Sequence, residues 1–121
     1  MIIKIKKFKE DAVYIYNKNI FLTNYQEITL EKKTINIINT QIGIEVDTLK
    51  NIDIKLRLTS EINNKNLYMI NHPPTIDKDY RGEIKLIIFN FNNYSITLNK
   101  NTALCLFIIN NMQKITFKEI K

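Results

Sequence analysis

The sequence predicts an all-β protein, and three observations carry that reading. Over 52–58 apolar and polar residues alternate strictly, with Ile52, Ile54, Leu56 and Leu58 on one face and Asp53, Lys55 and Arg57 on the other. That is the period of a half-buried strand. Isoleucine is abundant throughout, and β-branched side chains suit a pleated surface. Polar clusters interrupt the alternating runs at near-regular spacing, as in a β-sandwich or barrel.

The elements follow in order. The segment carrying Lys4, Lys6, Lys7 and Lys9 is expected to be an edge strand, guarded by charge against pairing with other chains. The asparagines of 17–19 mark a turn. Ile42, Ile44 and Val46 alternate as a strand, and 52–58 follows. Asn-rich 63–66 and Pro-containing 72–74 read as turns. Ile84, Leu86 and Ile88 form the next strand, 90–93 a turn, and Tyr94, Ile96 and Leu98 another strand. Asparagine tolerates left-handed backbone, so it replaces glycine in turns of a chain with two glycines. The apolar run from Ala103 to Met112 fits a buried strand or a helix by period alone. Phe107, Ile108 and Ile109 favour the strand.

At 121 residues and 14.4 kDa the chain is expected to form one domain over 1–121, since domains cluster at roughly 100 to 200 residues. The lone Cys105 excludes an internal disulfide and any multi-cysteine zinc site, and is read as a buried small hydrophobe. No apolar run is long enough to cross a bilayer. The alternating start lacks the apolar stretch of a signal peptide. The expectation is a soluble, cytoplasmic protein with no membrane partner.

The formal charge of +6 raises the question of nucleic acid. Arginine, which reads phosphate and guanine bidentately, stands only at 57 and 81. No run of like charge exceeds three residues. Lysine, isoleucine and asparagine all have A/T-rich codons, so a biased genome accounts for the charge, and a nucleic-acid partner is not expected.

Residues 71–90 carry more. Ile76-Asp77-Lys78-Asp79-Tyr80-Arg81-Gly82-Glu83-Ile84, preceded by Asn71-His72-Pro73-Pro74-Thr75, resembles the third signature motif of the trimeric dUTPase family, approximately N-x-P-G-x-I-D-x-D-Y-R-G-E-[IV]. Upstream, Thr40-Gln41-Ile42-Gly43-Ile44 stands where the family has T-G-[IL]-x-[IV]. Downstream, Ile96 to Leu106 stands where it has I-x-x-G-D-R-I-A-Q-L. The resemblance implies a jelly-roll-like subunit, a homotrimer with sites between subunits, and magnesium-dependent hydrolysis of dUTP to dUMP and pyrophosphate.

Carried over residue by residue, the resemblance makes Asp77 the carboxylate that activates the attacking water. It makes Tyr80 the ring under the deoxyribose, leaving no room for a 2′-hydroxyl. Asn71 becomes the amide that reads uracil, and Ser60 the serine of the phosphate-binding R-S-[GS]-L motif. No residue is assigned as a metal ligand, and magnesium is expected only if the protein is catalytic. Arg81 and Glu83 are expected to form an ion pair between strands or subunits, and His72 to be a solvated loop residue.

The departures are as specific. Thr59 stands where the arginine before Ser60 belongs, and Glu61 follows it. Asn101 and Leu104 replace the arginine and glutamine of the fourth motif. Lys-Asn-Ile-Phe-Leu at 18–22 does not match A-G-x-D-L, Pro74 replaces a glycine, and 113–121 contains no glycine. Phosphoryl transfer rests on positioning and charge stabilisation, so the erosion points to a non-catalytic binding or regulatory protein, with a deoxyuridine nucleotide or a protein as partner. The alternatives are an active, divergent dUTP diphosphatase and a structural subunit of a larger, viral assembly. The dCTP deaminases share the fold, but the position of their catalytic glutamate is Ile87 or an apolar neighbour, which excludes them.

Overall fold

The computed structural model describes residues 2–47, 51–70 and 74–121. They form eleven strands and one short helix: β1 (Lys4–Lys7), β2 (Tyr14–Asn17), β3 (Asn19–Thr23), β4 (Ile28–Leu30), β5 (Ile35–Asn39), β6 (Ile42–Glu45), β7 (Ile52–Leu58), α1 (Ser60–Asn63), β8 (Leu67–Met69), β9 (Lys85–Asn90), β10 (Ile96–Leu98) and β11 (Ala103–Asn111). The all-β expectation holds. The run after Ala103 is a strand because both of its edges are taken, by β3 and by β7.

Every strand pair is antiparallel, and the pairing is nested: β3 with β11, β4 with β10, β5 with β9. Two distant arms of the chain thus form one long two-stranded ribbon that wraps upon itself, the logic of a jelly roll. β2 and β7 complete a four-stranded sheet, β8 a three-stranded one, and β1 pairs with β6.

The alternation read from the sequence sets which faces turn inward. Ile52, Ile54, Leu56 and Leu58 are all buried, while Asp53, Lys55 and Arg57 face outward. Leu86 and Ile88 of β9 join Leu22, Leu30, Ile38 and Leu104 in the core. Tyr94 departs from the expected strand. It lies in the exposed bend before β10.

Two buried asparagines hold the corners of the ribbon. The Asn24 amide donates to the carbonyls of Gln26 and Asn99 at 2.9 and 2.8 Å and accepts from the Thr102 N–H at 2.8 Å. Asn90 donates to the carbonyls of Leu30, Glu31 and Tyr94 at 2.9, 3.2 and 3.0 Å, and accepts from Asn92. Buried amides must be satisfied, and here each ties two loops that are far apart in sequence.

Among the described residues the left-handed positions are Lys18, Lys33, Gln41, Asn66 and Asn101, so asparagine supplies two of these five. Neither glycine has positive φ. Gly43 allows close approach instead: a Cβ there would meet the Gly82 carbonyl at 2.8 Å.

The chain exposes 8401 Å², roughly 1,600 Å² more than a compact monomer of its mass would. Part of this surplus is the outward face of the β5–β9–β8 sheet, where Ile35, Ile37, Ile87 and Tyr68 are exposed. Part is the extended segment after β11, with Ile115, Phe117 and Ile120 in solvent. No helix among the described residues is long and apolar enough to cross a membrane.

Candidate active site

Strand β7 organises the site. Its edge away from β11 is taken by 74–76. The Leu56 N–H donates to the Pro74 carbonyl at 3.1 Å, the Ile76 N–H to the Ile54 carbonyl at 2.8 Å, and Lys55 bridges to Thr75. This short addition to the sheet delivers Asp77 at its end. The chain then turns, with the Tyr80 N–H on the Asp77 carbonyl at 3.0 Å, and is held again where the Ile84 N–H donates to Ile42 at 2.8 Å.

Arg81 and Glu83 hold this turn, though not by pairing with each other as expected within the chain. The Arg81 guanidinium donates to the carbonyls of Lys78, Tyr80 and Val46 at 2.7, 3.2 and 3.3 Å. The Glu83 carboxylate accepts from the Gln41 N–H at 2.9 Å, where Gln41 is left-handed at the place of the family's glycine. A guanidinium has five donors, and a turn rich in outward-facing carbonyls engages it more fully than one carboxylate would. The Tyr80 hydroxyl donates to the Glu83 carbonyl at 2.6 Å, which fixes the ring.

Asp77 and Tyr80 border a cleft of about 320 Å³ walled by apolar side chains, among them Leu56, Met69, Ile76 and Leu86. Asp77 is exposed and Tyr80 is 46% exposed. Glu83 and Lys85 line it as well, with the Glu83 carboxylate engaged by the Gln41 N–H. A largely apolar cleft with the Asp77 carboxylate and a pinned ring can seat a flat ring and a sugar while offering a proton acceptor. Asn71 and His72 lie outside the described residues.

Ser60 sits elsewhere. It lines a second cleft, of about 490 Å³, with Phe21, Arg57, Thr59, Asn63 and Leu106. The two clefts share no residue: Leu56 lines one and Arg57 the other. Leu56 lies toward the middle of β7, whereas the second cleft takes in Arg57, Leu58 and the turn into α1 at the end of the strand. One chain therefore does not bring Ser60 to Asp77 and Tyr80, and the site expected from the sequence is divided.

Around Ser60 the positions that depart from the motif pattern have structural work. Thr59 caps α1: its hydroxyl accepts from the Ile62 N–H and donates to the Ala103 carbonyl. The sequence reading took 63–66 as a turn and missed the helix before it, although a threonine preceding Ser-Glu-Ile is a capping signal. Leu104 is buried in the core. Arg57, which the alternation places on the polar face, lines the same cleft as Ser60.

Cys105 belongs to neither cleft. Burial pushes its thiol up to about 12, so it remains protonated and inert.

A magnesium ion takes six oxygens in near-octahedral geometry, commonly waters, substrate phosphates and one or two carboxylates. The described residues gather no cluster of three or more His, Cys, Asp or Glu side chains. A cage built by the described residues alone does not fit the ion, whereas an ion carried on nucleotide phosphates needs none.

Comparison with known proteins places these features in a family. The family model described as dUTPase matches residues 22–121. The deoxyuridine 5′-triphosphate nucleotidohydrolase of Fusobacterium nucleatum subsp. nucleatum is 33% identical over 97 residues, covering 79% of this chain and 65% of that protein. Its counterpart in Rickettsia bellii is 34% identical over 97 residues, covering 79% and 63%. The chain thus spans somewhat less than two thirds of the length of these relatives. Among solved structures, a mutant dUTPase from phage phi11 of S. aureus, whose structure concerns the coordination of a structural Mg(II) ion, aligns with a TM-score of 0.82 at 14% identity, covering 100% of this chain and 97% of that one. The Staphylococcus bacteriophage 80alpha dUTPase with dUPNHPP aligns at 0.81 and 14%, covering 99% and 88%. At such identity the likeness is one of fold.

Proposed function

The chain belongs to the dUTPase family, and on that premise we propose that it binds magnesium-complexed dUTP between copies of itself and hydrolyses it to dUMP and pyrophosphate. The carrying observation is the apolar cleft bordered by Asp77 and by a Tyr80 ring pinned through its hydroxyl. Family members are typically trimeric, and a site divided between two separate clefts calls for a second copy to complete it.

In this reading the Asp77 carboxylate accepts a proton from a water as the water oxygen bonds to the α-phosphorus. The bond from the α-phosphorus to the bridging oxygen breaks, and pyrophosphate leaves with that electron pair. Tyr80 packs under the deoxyribose and Asn71 reads the base. Ser60, from the neighbouring copy, contacts the phosphates.

The motif erosion favoured a non-catalytic protein, whereas the names of the relatives support the hydrolase. Magnitudes favour it too. Two lost charge contacts at about 10²–10³-fold each cost on the order of 10⁴–10⁶ in rate. Enzymatic accelerations of roughly 10⁶–10¹⁷ leave room for a slow but specific reaction after that loss. The second reading, nucleotide binding without turnover, is supported by Thr59 and Leu104, whose side chains now serve the helix cap and the core.

The test is pyrophosphate release from dUTP with magnesium, beside Asp77→Asn and a panel of other nucleoside triphosphates. Release specific to dUTP and lost in Asp77→Asn, with dUMP binding retained, is expected. Binding without release would leave the second reading. Absence of both would sink the two together.

A further inference from the structure

We infer that Arg57 supplies the cation for the phosphate chain of the ligand, in place of the arginine missing at Thr59. The inference deepens the proposed function and rests on it for the identity of the nucleotide.

Charge along β7 singles this residue out. Of its three outward side chains, Asp53 and Lys55 neutralise each other at 3.1 Å. Arg57, at the end of the row, has no hydrogen bond or ion pair to its guanidinium among the described residues. The other arginine, Arg81, is spent on three backbone carbonyls. Arg57 is therefore the arginine left with its donors available, and it is exposed on the cleft that holds Ser60.

Geometry makes the replacement direct. Arg57 stands two residues before Thr59, about 6.7 Å away along extended chain, and both line the same cleft. The Thr59 hydroxyl is committed to Ala103 and Ile62, so position 59 offers a ligand nothing. Arg57 brings a planar fork that matches phosphate oxygens bidentately, with the Ser60 hydroxyl and the Asn63 amide as neutral donors beside it. Glu61, whose charge would oppose an anion, does not line the cleft. Asp77 borders the other cleft, which shares no residue with this one, so the Arg57 of one copy serves a nucleotide seated on the Asp77 and Tyr80 of another. The class of ligand is a polyphosphate, bound here independently of its base.

The experiment measures equilibrium binding of dUMP, of an imido analogue of dUTP and of pyrophosphate, each with magnesium, to wild type, Arg57→Ala and Arg57→Lys. Arg57→Ala should weaken the triphosphate analogue and pyrophosphate roughly 10- to 100-fold and leave dUMP within about twofold. Arg57→Lys should recover part of the loss, since it keeps the charge without the fork. Equal affinity of wild type and Arg57→Ala for the analogue would overturn the inference while leaving the nucleotide reading intact. Pyrophosphate bound and lost on mutation, with no nucleotide bound, would keep Arg57 and remove the deoxyuridine reading. No binding of any of the three to wild type would remove both.

Discussion

Replacing Gly82 by alanine tests the Tyr80 ring without touching it. A Cβ at position 82 would lie 2.6 Å from the Tyr80 hydroxyl oxygen and 2.8 Å from the carbon bearing it. Comfortable contact begins at about 3.5 Å, so the ring must retreat by roughly 1 Å and its 2.6 Å bond to the Glu83 carbonyl is lost. The backbone itself accepts alanine, because Gly82 does not have positive φ. The stability cost is that of one exposed hydrogen bond, about 0.5–1.5 kcal/mol, and the fold should survive. The functional cost is larger, because a 1 Å misplacement at a reacting centre costs on the order of 10²-fold. Pyrophosphate release from dUTP and UTP, measured on both proteins beside a thermal melt, is the assay. Gly82→Ala should lose most dUTP turnover and most of its preference for dUTP over UTP, with a melting shift of a few degrees. Wild-type discrimination in a folded Gly82→Ala protein would refute a sugar-facing role for the pinned ring.

Two further predictions concern the fold. Asn90→Ala strips three carbonyls and Asn92 of their buried partner and should cost about 3–4 kcal/mol. A denaturant titration measures it, and a loss below about 1 kcal/mol would show that water replaces the amide. Cys105 should resist thiol reagents at pH 8 in the native protein and react on denaturation; rapid native labelling would contradict its burial. Because burial raises its pKa to about 12, its contribution is fully present below the unfolded thiol's value of roughly 8.5. Above that value stability should fall by up to about 1.4 kcal/mol per pH unit, as the unfolded thiol ionises first, until the native thiol titrates. Cys105→Ala should show a flatter stability profile above pH 9.

Much of the fold was legible where a strand has one wet face. The alternation at 52–58 gave β7 to the residue, and Leu86 and Ile88 marked the inward face of β9. Local signals failed where a side chain acts at long range. Asn90 reads as a turn former and Asn24 carries no signal at all, yet both are buried hubs between loops some 60 to 78 residues apart. Lys33 and Gln41 adopt left-handed backbone without a turn residue to announce it, and in the turn at 17–19 it is Lys18, not a flanking asparagine, that does so. Opposite charge suggested pairing Arg81 with Glu83, but the nearby backbone groups claim both side chains.

By itself the sequence determined the period of the strands, the inward faces and the motif from Asn71 to Ile84 that points to deoxyuridine nucleotides, because these depend on neighbours in the chain. Tertiary structure alone decided the rest. The nested pairing of distant arms puts β11 and 74–76 on either side of β7. That placement separates Asp77 from Ser60 and leaves Arg57, which the alternation already turns outward, without a charged partner among the described residues. Spacing along the chain carries no record of these contacts, because which edge of β7 each segment meets is settled only when partners far apart in sequence pack together.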